Sequence, residues 1–107
     1  IDAGNLELIN DRAVAPAMDD RIGAFVVLEA MRLIAKRKVH VGVYCVTTVQ
    51  EEIGLRGATT SAYGVNPQAG IAVDVSHATD HPDCDPKKHG QYRLGAGPIL
   101  SRGPNIN

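Results

Sequence analysis

The sequence predicts an α/β fold, a mostly parallel sheet flanked by helices, on three observations. Residues 24–35 repeat apolar side chains at helical spacing. Two runs, Val39–Val49 and Ala69–Val75, are rich in β-branched and small residues on both faces, as strands covered on both sides by helices are. Helix, strand, helix and strand then alternate with short connections, which is the pattern of a parallel sheet.

Taken in order, Leu6-Glu7-Leu8-Ile9 followed by Asn10-Asp11-Arg12 reads as a short strand running into a turn. Beyond Ala15-Pro16-Ala17-Met18-Asp19-Asp20-Arg21 comes a long helix, with Ala24, Val27, Leu28, Met31, Ile34 and Ala35 on one face and Glu29, Arg32 and Lys36 opposite. That apolar face is expected to pack on a sheet, and Lys36-Arg37-Lys38 suit the negative end of the helix dipole. Val39–Val49 is the central strand. Leu55–Tyr63 predicts a second helix, closed by Gly64 as a C-cap. Ala69–Val75 is a further strand with Asp74 near its end. Ser76–Arg93 holds Pro82, Pro86 and three histidines without any period, and long irregular loops are usually functional or mobile. Leu94-Gly95-Ala96-Gly97-Pro98-Ile99-Leu100 is glycine-rich, but Leu100 stands where a third glycine belongs and no Lys-Ser/Thr follows, so nucleotide binding is rejected there.

At 107 residues the chain makes at most one domain, able to bury roughly 60–70% of its unfolded surface. Trp is absent and Phe and Tyr are scarce, so the core is expected to be aliphatic. A net charge of -1 supplies no basic surface, which argues against nucleic-acid and membrane partners. Cys45 in an apolar strand and Cys84 in a polar loop do not make a secreted disulfide framework, and this points to a reducing, cytoplasmic compartment. No apolar run approaches the roughly 20 residues of a spanning helix, and no signal-peptide pattern opens the chain. Ile1 in place of Met, and Asn105-Ile106-Asn107 without a helix stop or polar tail, read as cut ends.

Chemistry concentrates where apolar runs stop. Val46-Thr47-Thr48-Val49-Gln50-Glu51-Glu52-Ile53-Gly54-Leu55-Arg56-Gly57 ends a β-branched run in two adjacent carboxylates, and open parallel sheets collect ligands at the carboxyl ends of their strands. If the strand persists through them, Glu51 and Glu52 face opposite ways, one toward a metal and the other toward substrate. Taken singly, Asp19-Asp20 reads as a helix N-cap, and Glu51-Glu52 as a solvated turn. Asp74, flanked by Val73 and Val75, is harder to dismiss, because a carboxylate in an apolar strand needs a partner or a metal. All three clusters sit at element edges that a parallel sheet would bring to one rim. Carboxylates sharing a site repel unless a cation neutralises them, so a pair of divalent metals is the expected occupant. His40, His77, His81 and His89 match no familiar zinc spacing, and His81-Pro82-Asp83-Cys84-Asp85 reads more simply as a polar loop.

These motifs together resemble a known family. Ala17-Met18-Asp19-Asp20-Arg21, Thr48-Val49-Gln50-Glu51-Glu52-Ile53-Gly54-Leu55-Arg56-Gly57-Ala58 and Ile71-Ala72-Val73-Asp74-Val75 resemble the dinuclear metalloaminopeptidases of the glutamyl and tetrahedral aminopeptidase type, some of which are labelled endoglucanase M. His77-Ala78-Thr79-Asp80 and Leu94-Gly95-Ala96-Gly97-Pro98 resemble the family's continuation, so the likeness runs from about Val14 onward. It implies a fragment of a zinc-aminopeptidase-like catalytic domain holding two divalent ions of zinc, cobalt or manganese. Asp19 would bridge both ions, with the Asp19-Asp20 peptide cis. Glu52 would bind one ion and Asp74 the other, and Glu51 would be the general base. Short peptides would be the substrate, and the full-length form would be a homo-oligomer.

Two histidine ligands of the family, one upstream of the Asp-Asp pair and one near the domain's carboxyl end, have no counterpart here, and neither has its dimerisation domain. Residues 1–107 are therefore expected to be a partial peptidase catalytic domain. Two alternatives stand beside this reading: a non-catalytic truncated α/β fragment that self-associates through exposed sheet edges, and a carboxypeptidase or deacylase of the same metal-hydrolase group. Glycosidase chemistry is disfavoured, because the carboxylates have metal-site neighbours and aromatic sugar platforms are nearly absent.

Overall fold

The computed structural model describes residues 4–104. Ile1 and Asn105-Ile106-Asn107, on which the reading of cut ends rests, lie outside the described residues. The chain divides into two units, residues 1–75 and 76–107.

The first unit opens with a hairpin. Strand β1, Leu6–Leu8, pairs antiparallel with β2, Arg12–Val14, in the register Leu6 to Val14 and Leu8 to Arg12. The turn between them uses left-handed backbone at Asn10 (φ 62) and Asp11 (φ 54), which these two residue types tolerate better than most. The returning strand was not legible in the sequence, since three residues are too few to show a period.

Helix α1, Met18–Ile34, contains two residues that are not helical, Asp19 (φ -83, ψ 110) and Asp20 (φ -118, ψ 53), joined by a cis peptide. The cis bond that the resemblance implies is therefore present. Regular helix begins after Asp20, whose Oδ1 accepts the Gly23 amide at 2.8 Å. That is the reach of an N-cap side chain to the third helical N–H. Gly23 is buried, and a Cβ there would lie 2.2 Å from Asp20 Oδ2, so the glycine leaves room for the capping carboxylate. On the predicted face, Ala24, Val27, Met31 and Ile34 are half-buried. Ile22, Phe25, Val26 and Leu33, on the other side of the helix, are exposed, so α1 is apolar on two faces. Arg32 pairs with Glu29 one turn away and holds its carboxyl below the ordinary range. Such an exposed pair adds little stability.

Here the structure departs from the expected parallel sheet. Among the described residues neither 39–49 nor 69–75 forms a strand, and the sheet present is the antiparallel β1–β2 pair. A parallel strand exists only through hydrogen bonds to a neighbour. The apolar pattern records that both faces suit burial, yet Val41, Val49 and Ile71 are each at least 70% exposed. No apolar side chain among the described residues is fully buried, so the expected aliphatic core is not assembled.

Helix α2, Arg56–Val65, runs slightly past the predicted Leu55–Tyr63. Gly64 lies inside it. The cap is Asn66, which is left-handed (φ 49) and donates its amide to Ala62 O at 2.8 Å. Asparagine is the usual substitute for glycine at such a cap.

In the second unit, the loop expected to be irregular is tied at its ends. The Thr79 amide donates to Tyr92 O at 2.7 Å, and the Tyr92 amide donates to Thr79 Oγ1 at 2.8 Å. This is the closure of an Ω-type loop. Within it, α3, Pro86–His89, starts on Asp85, whose side chain accepts the Lys87 amide at 2.9 Å, with Pro86 in the first turn. No described helix is long and apolar enough to cross a membrane. Cys45 and Cys84 are free thiols.

Two substitutions test these caps in thermal melts followed by circular dichroism. Asp20→Ala removes the α1 cap and is expected to cost about 1 kcal/mol. Asn66→Ala removes the polar side chain that lets asparagine tolerate left-handed backbone and is expected to cost about 1 kcal/mol, whereas Asn66→Gly is tolerated.

Candidate functional site

The loop joining the central apolar segment to α2 is closed by backbone bonds. Gln50 turns left-handed (φ 59), which breaks the extended direction one residue before the acidic pair. Glu51 O then accepts the amides of Gly54 (3.1 Å) and Leu55 (3.0 Å). Arg56 N donates to Gln50 O at 3.3 Å, and Gly57 N donates to Val49 O at 3.0 Å. Glu51 and Glu52 therefore stand on a turn, and the strand alternation expected to point them to opposite sides does not apply.

The first unit brings the expected site residues into one another's field. The Glu51 carboxyl is raised above the ordinary carboxylate range, first by loss of solvent around it and then by the negative charges of Glu52, Asp74, Asp19 and Asp20. Glu51 is an exposed residue, so desolvation there is slight in physical terms and the four neighbouring charges carry the chemical meaning. Among the described residues the one ion pair is Glu29–Arg32, so no lysine or arginine bridges to these carboxylates.

The carboxylates are near but not closed on one point. Among the described residues no three His, Cys, Asp or Glu side chains are grouped tightly enough to hold a metal ion. Asp74 is exposed, and its Oδ1 accepts the Val75 amide at 2.7 Å. The argument that an apolar strand would bury Asp74 therefore fails, because that strand is not formed. The Asp19-Asp20 pair divides its work: Asp20 caps α1 while Asp19 is exposed. The sequence carried a sign of this, since Gly23 stands three residues after Asp20, the spacing from an N-cap to the amide it accepts.

The donor set fits a divalent cation in its chemistry. Asp19, Glu52 and Asp74 offer only hard carboxylate oxygens, and their mutual repulsion is the kind that a bound cation relieves. Three of the four histidines belong to the second unit. His77, His81 and His89 line, with Asp83 and Cys84, a depression of about 350 Å³ in the second unit. His81 Nδ1 lies 2.7 Å from Pro82 O, and His40 is exposed.

Because its proton affinity is raised in the fold, Glu51 favours the folded chain at pH below its unfolded value. That contribution is lost as pH rises through the folded one. Asp74→Asn removes one of the repelling charges, and an NMR titration of the Glu51 side chain is expected to show its midpoint moving down toward the ordinary carboxylate value.

Comparison with known proteins identifies the family. The M42 glutamyl aminopeptidase family matches residues 1–105. The lysyl aminopeptidase of Pyrococcus furiosus is 39% identical over 102 residues, which is 94% of this chain and 28% of that protein. The glutamyl aminopeptidase of Lactococcus lactis is 39% identical over 87 residues, 81% of this chain and 23% of that protein. The chain thus spans about a quarter of the length of these curated relatives. No solved structure matches it at comparable significance. With nearly all of its length matched, and with the Asp-Asp and Glu-Glu pairs in one unit, the chain belongs to the M42 glutamyl aminopeptidase family.

Proposed function

We propose that the chain carries the central part of the catalytic machinery of a metal-dependent aminopeptidase that removes N-terminal residues from short peptides. The observation that supports this most directly is that Glu52, Asp74, Asp19 and Asp20 stand within electrostatic reach of Glu51, while among the described residues no lysine or arginine pairs with them. Family membership supplies the reaction class.

In this reading Asp19, Glu52 and Asp74 would be the residues of this chain that hold two divalent ions. Zinc, cobalt or manganese suits such donors. Bound there, the ions would acidify a water and polarise the scissile carbonyl. Glu51 takes the proton from the attacking water and gives it to the leaving amine as the carbon–nitrogen bond breaks. A carboxyl whose proton affinity is raised by its neighbours is suited to hold that proton between the two events. The two histidine ligands that the resemblance implies are not assigned among these residues. In the assembled catalytic domain, 39–49 and 69–75 pair as parallel strands of a zinc-aminopeptidase-like sheet. We place the protein in the cytoplasm as a homo-oligomer.

A second reading, the self-associating fragment, is favoured by exposed apolar residues such as Phe25 at 65% and Leu28 at 57%.

The test is elemental analysis of divalent metal per chain after dialysis against cobalt or zinc. Metal is expected to be retained by the chain and by Glu51→Gln, and lost in Asp19→Ala. In hydrolysis of short peptides with free N-termini, Glu51→Gln is expected to lose at least about 100-fold in rate. Equal metal content in the unmutated chain and Asp19→Ala would overturn the assignment.

A further inference from the structure

Helix α2 holds two glycines in different surroundings. A side chain at Gly64 would meet nothing within 4 Å. A Cβ at Gly57 would lie 2.6 Å from both the backbone N and O of Val49, and 3.2 Å from Thr48 Cβ. No rotamer relieves a clash with backbone atoms, so either α2 or the segment ending at Val49 would have to move. Gly57 is not among the residues with positive φ, so space, and not backbone freedom, demands a glycine here. Helix propensity gives no reason for it either, since alanine is the better helix former by about 1 kcal/mol.

What this close approach fixes is the acidic loop. Gly57 N donates to Val49 O at 3.0 Å, and the Gln50–Arg56 and Glu51–Leu55 backbone bonds nest inside that contact. Glu51 and Glu52 are thereby carried on a closed turn whose two ends touch. They cannot shift relative to the apolar segment without opening it. Asp74 and Asp19 belong to the same unit and stand within electrostatic reach of Glu51.

We propose that Gly57 is a positioning residue for the acidic pair: its missing side chain lets α2 dock on Val49, and that docking sets where Glu51 and Glu52 stand relative to Asp19 and Asp74. The inference rests on the reading of Glu52 as a metal-holding carboxylate and Glu51 as the base. It assigns Gly57 no contact with substrate or metal.

The experiment compares the unmutated chain with Gly57→Ala and Gly64→Ala. Cobalt is titrated by visible absorption, NMR shifts are read at Gln50, Glu51 and Glu52, and helix content is followed by circular dichroism. Gly57→Ala is expected to retain its helices, to move the three shifts, and to weaken cobalt binding by about 10- to 100-fold, the range for a lost supporting contact around a metal site. Gly64→Ala is expected to leave both readouts unchanged. Unmoved shifts, or unweakened cobalt binding, in Gly57→Ala overturn the proposal. Should Gly57→Ala lose its helices, amide exchange at Gly57 in the unmutated chain decides: saturating cobalt slows it if the docking and the acidic pair are coupled, and leaves it unchanged if they are not. If the unmutated chain and Asp19→Asn bind cobalt equally, the metal reading fails. The shift comparison then still decides whether Gly57 places the loop.

Discussion

Like charge crowded around Glu51 is the constraint on which the first unit turns. Loss of solvent and then four neighbouring carboxylates raise its proton affinity, and among the described residues no lysine or arginine pairs with them. Such an arrangement is unfavourable in a chain that has nothing to neutralise it. It persists because backbone, not side-chain pairing, holds the acids in place. Asp20 is spent on capping α1, and the acidic turn is closed by carbonyls accepting from Gly54, Leu55, Arg56 and Gly57. The side chains of Asp19, Glu51 and Glu52 are left free of structural duty, which is the state expected of groups that serve chemistry.

The same division of labour runs through the connecting elements. Left-handed residues stand at each entry to the site: Ala17 before the Asp-Asp pair, Gln50 before the Glu-Glu pair and Leu55 before α2. None is glycine, and each costs on the order of 1 kcal/mol or more in such backbone. Conformations of this kind cluster where a side chain must be aimed. Here they flank both acidic pairs.

Much of this was legible in the sequence, and the rest was not for physical reasons. The long helix was readable because seventeen residues give a period time to repeat. Its capping residue was masked by the doubled Asp, since either carboxylate satisfies the N-cap preference. Glycine is the commonest C-cap, so the sequence points to Gly64 as the end of α2, yet Asn66 serves that role in left-handed backbone. The Asp85-Pro86 start of α3 follows ordinary cap chemistry, but one helical turn has no periodicity to draw attention to it. The parallel sheet failed to appear for a different reason. Apolar runs at 39–49 and 69–75 state a need for burial, and only a hydrogen-bonding neighbour converts that need into a strand. The four carboxylates were found because each stands at the edge of an apolar or helical run. Their shortfall from a closed metal site was not visible in spacing alone.

The tie between Thr79 and Tyr92 changes what the residues between them are free to become. Once the two ends are clasped to each other, the flanking chain no longer senses how long the excursion is. Each doubling of its length adds only about 0.6 kcal/mol of closure entropy. The stretch carrying His81, Cys84 and α3 can therefore be lengthened or shortened at little cost in closure entropy while the clasp between Thr79 and Tyr92 stays in place.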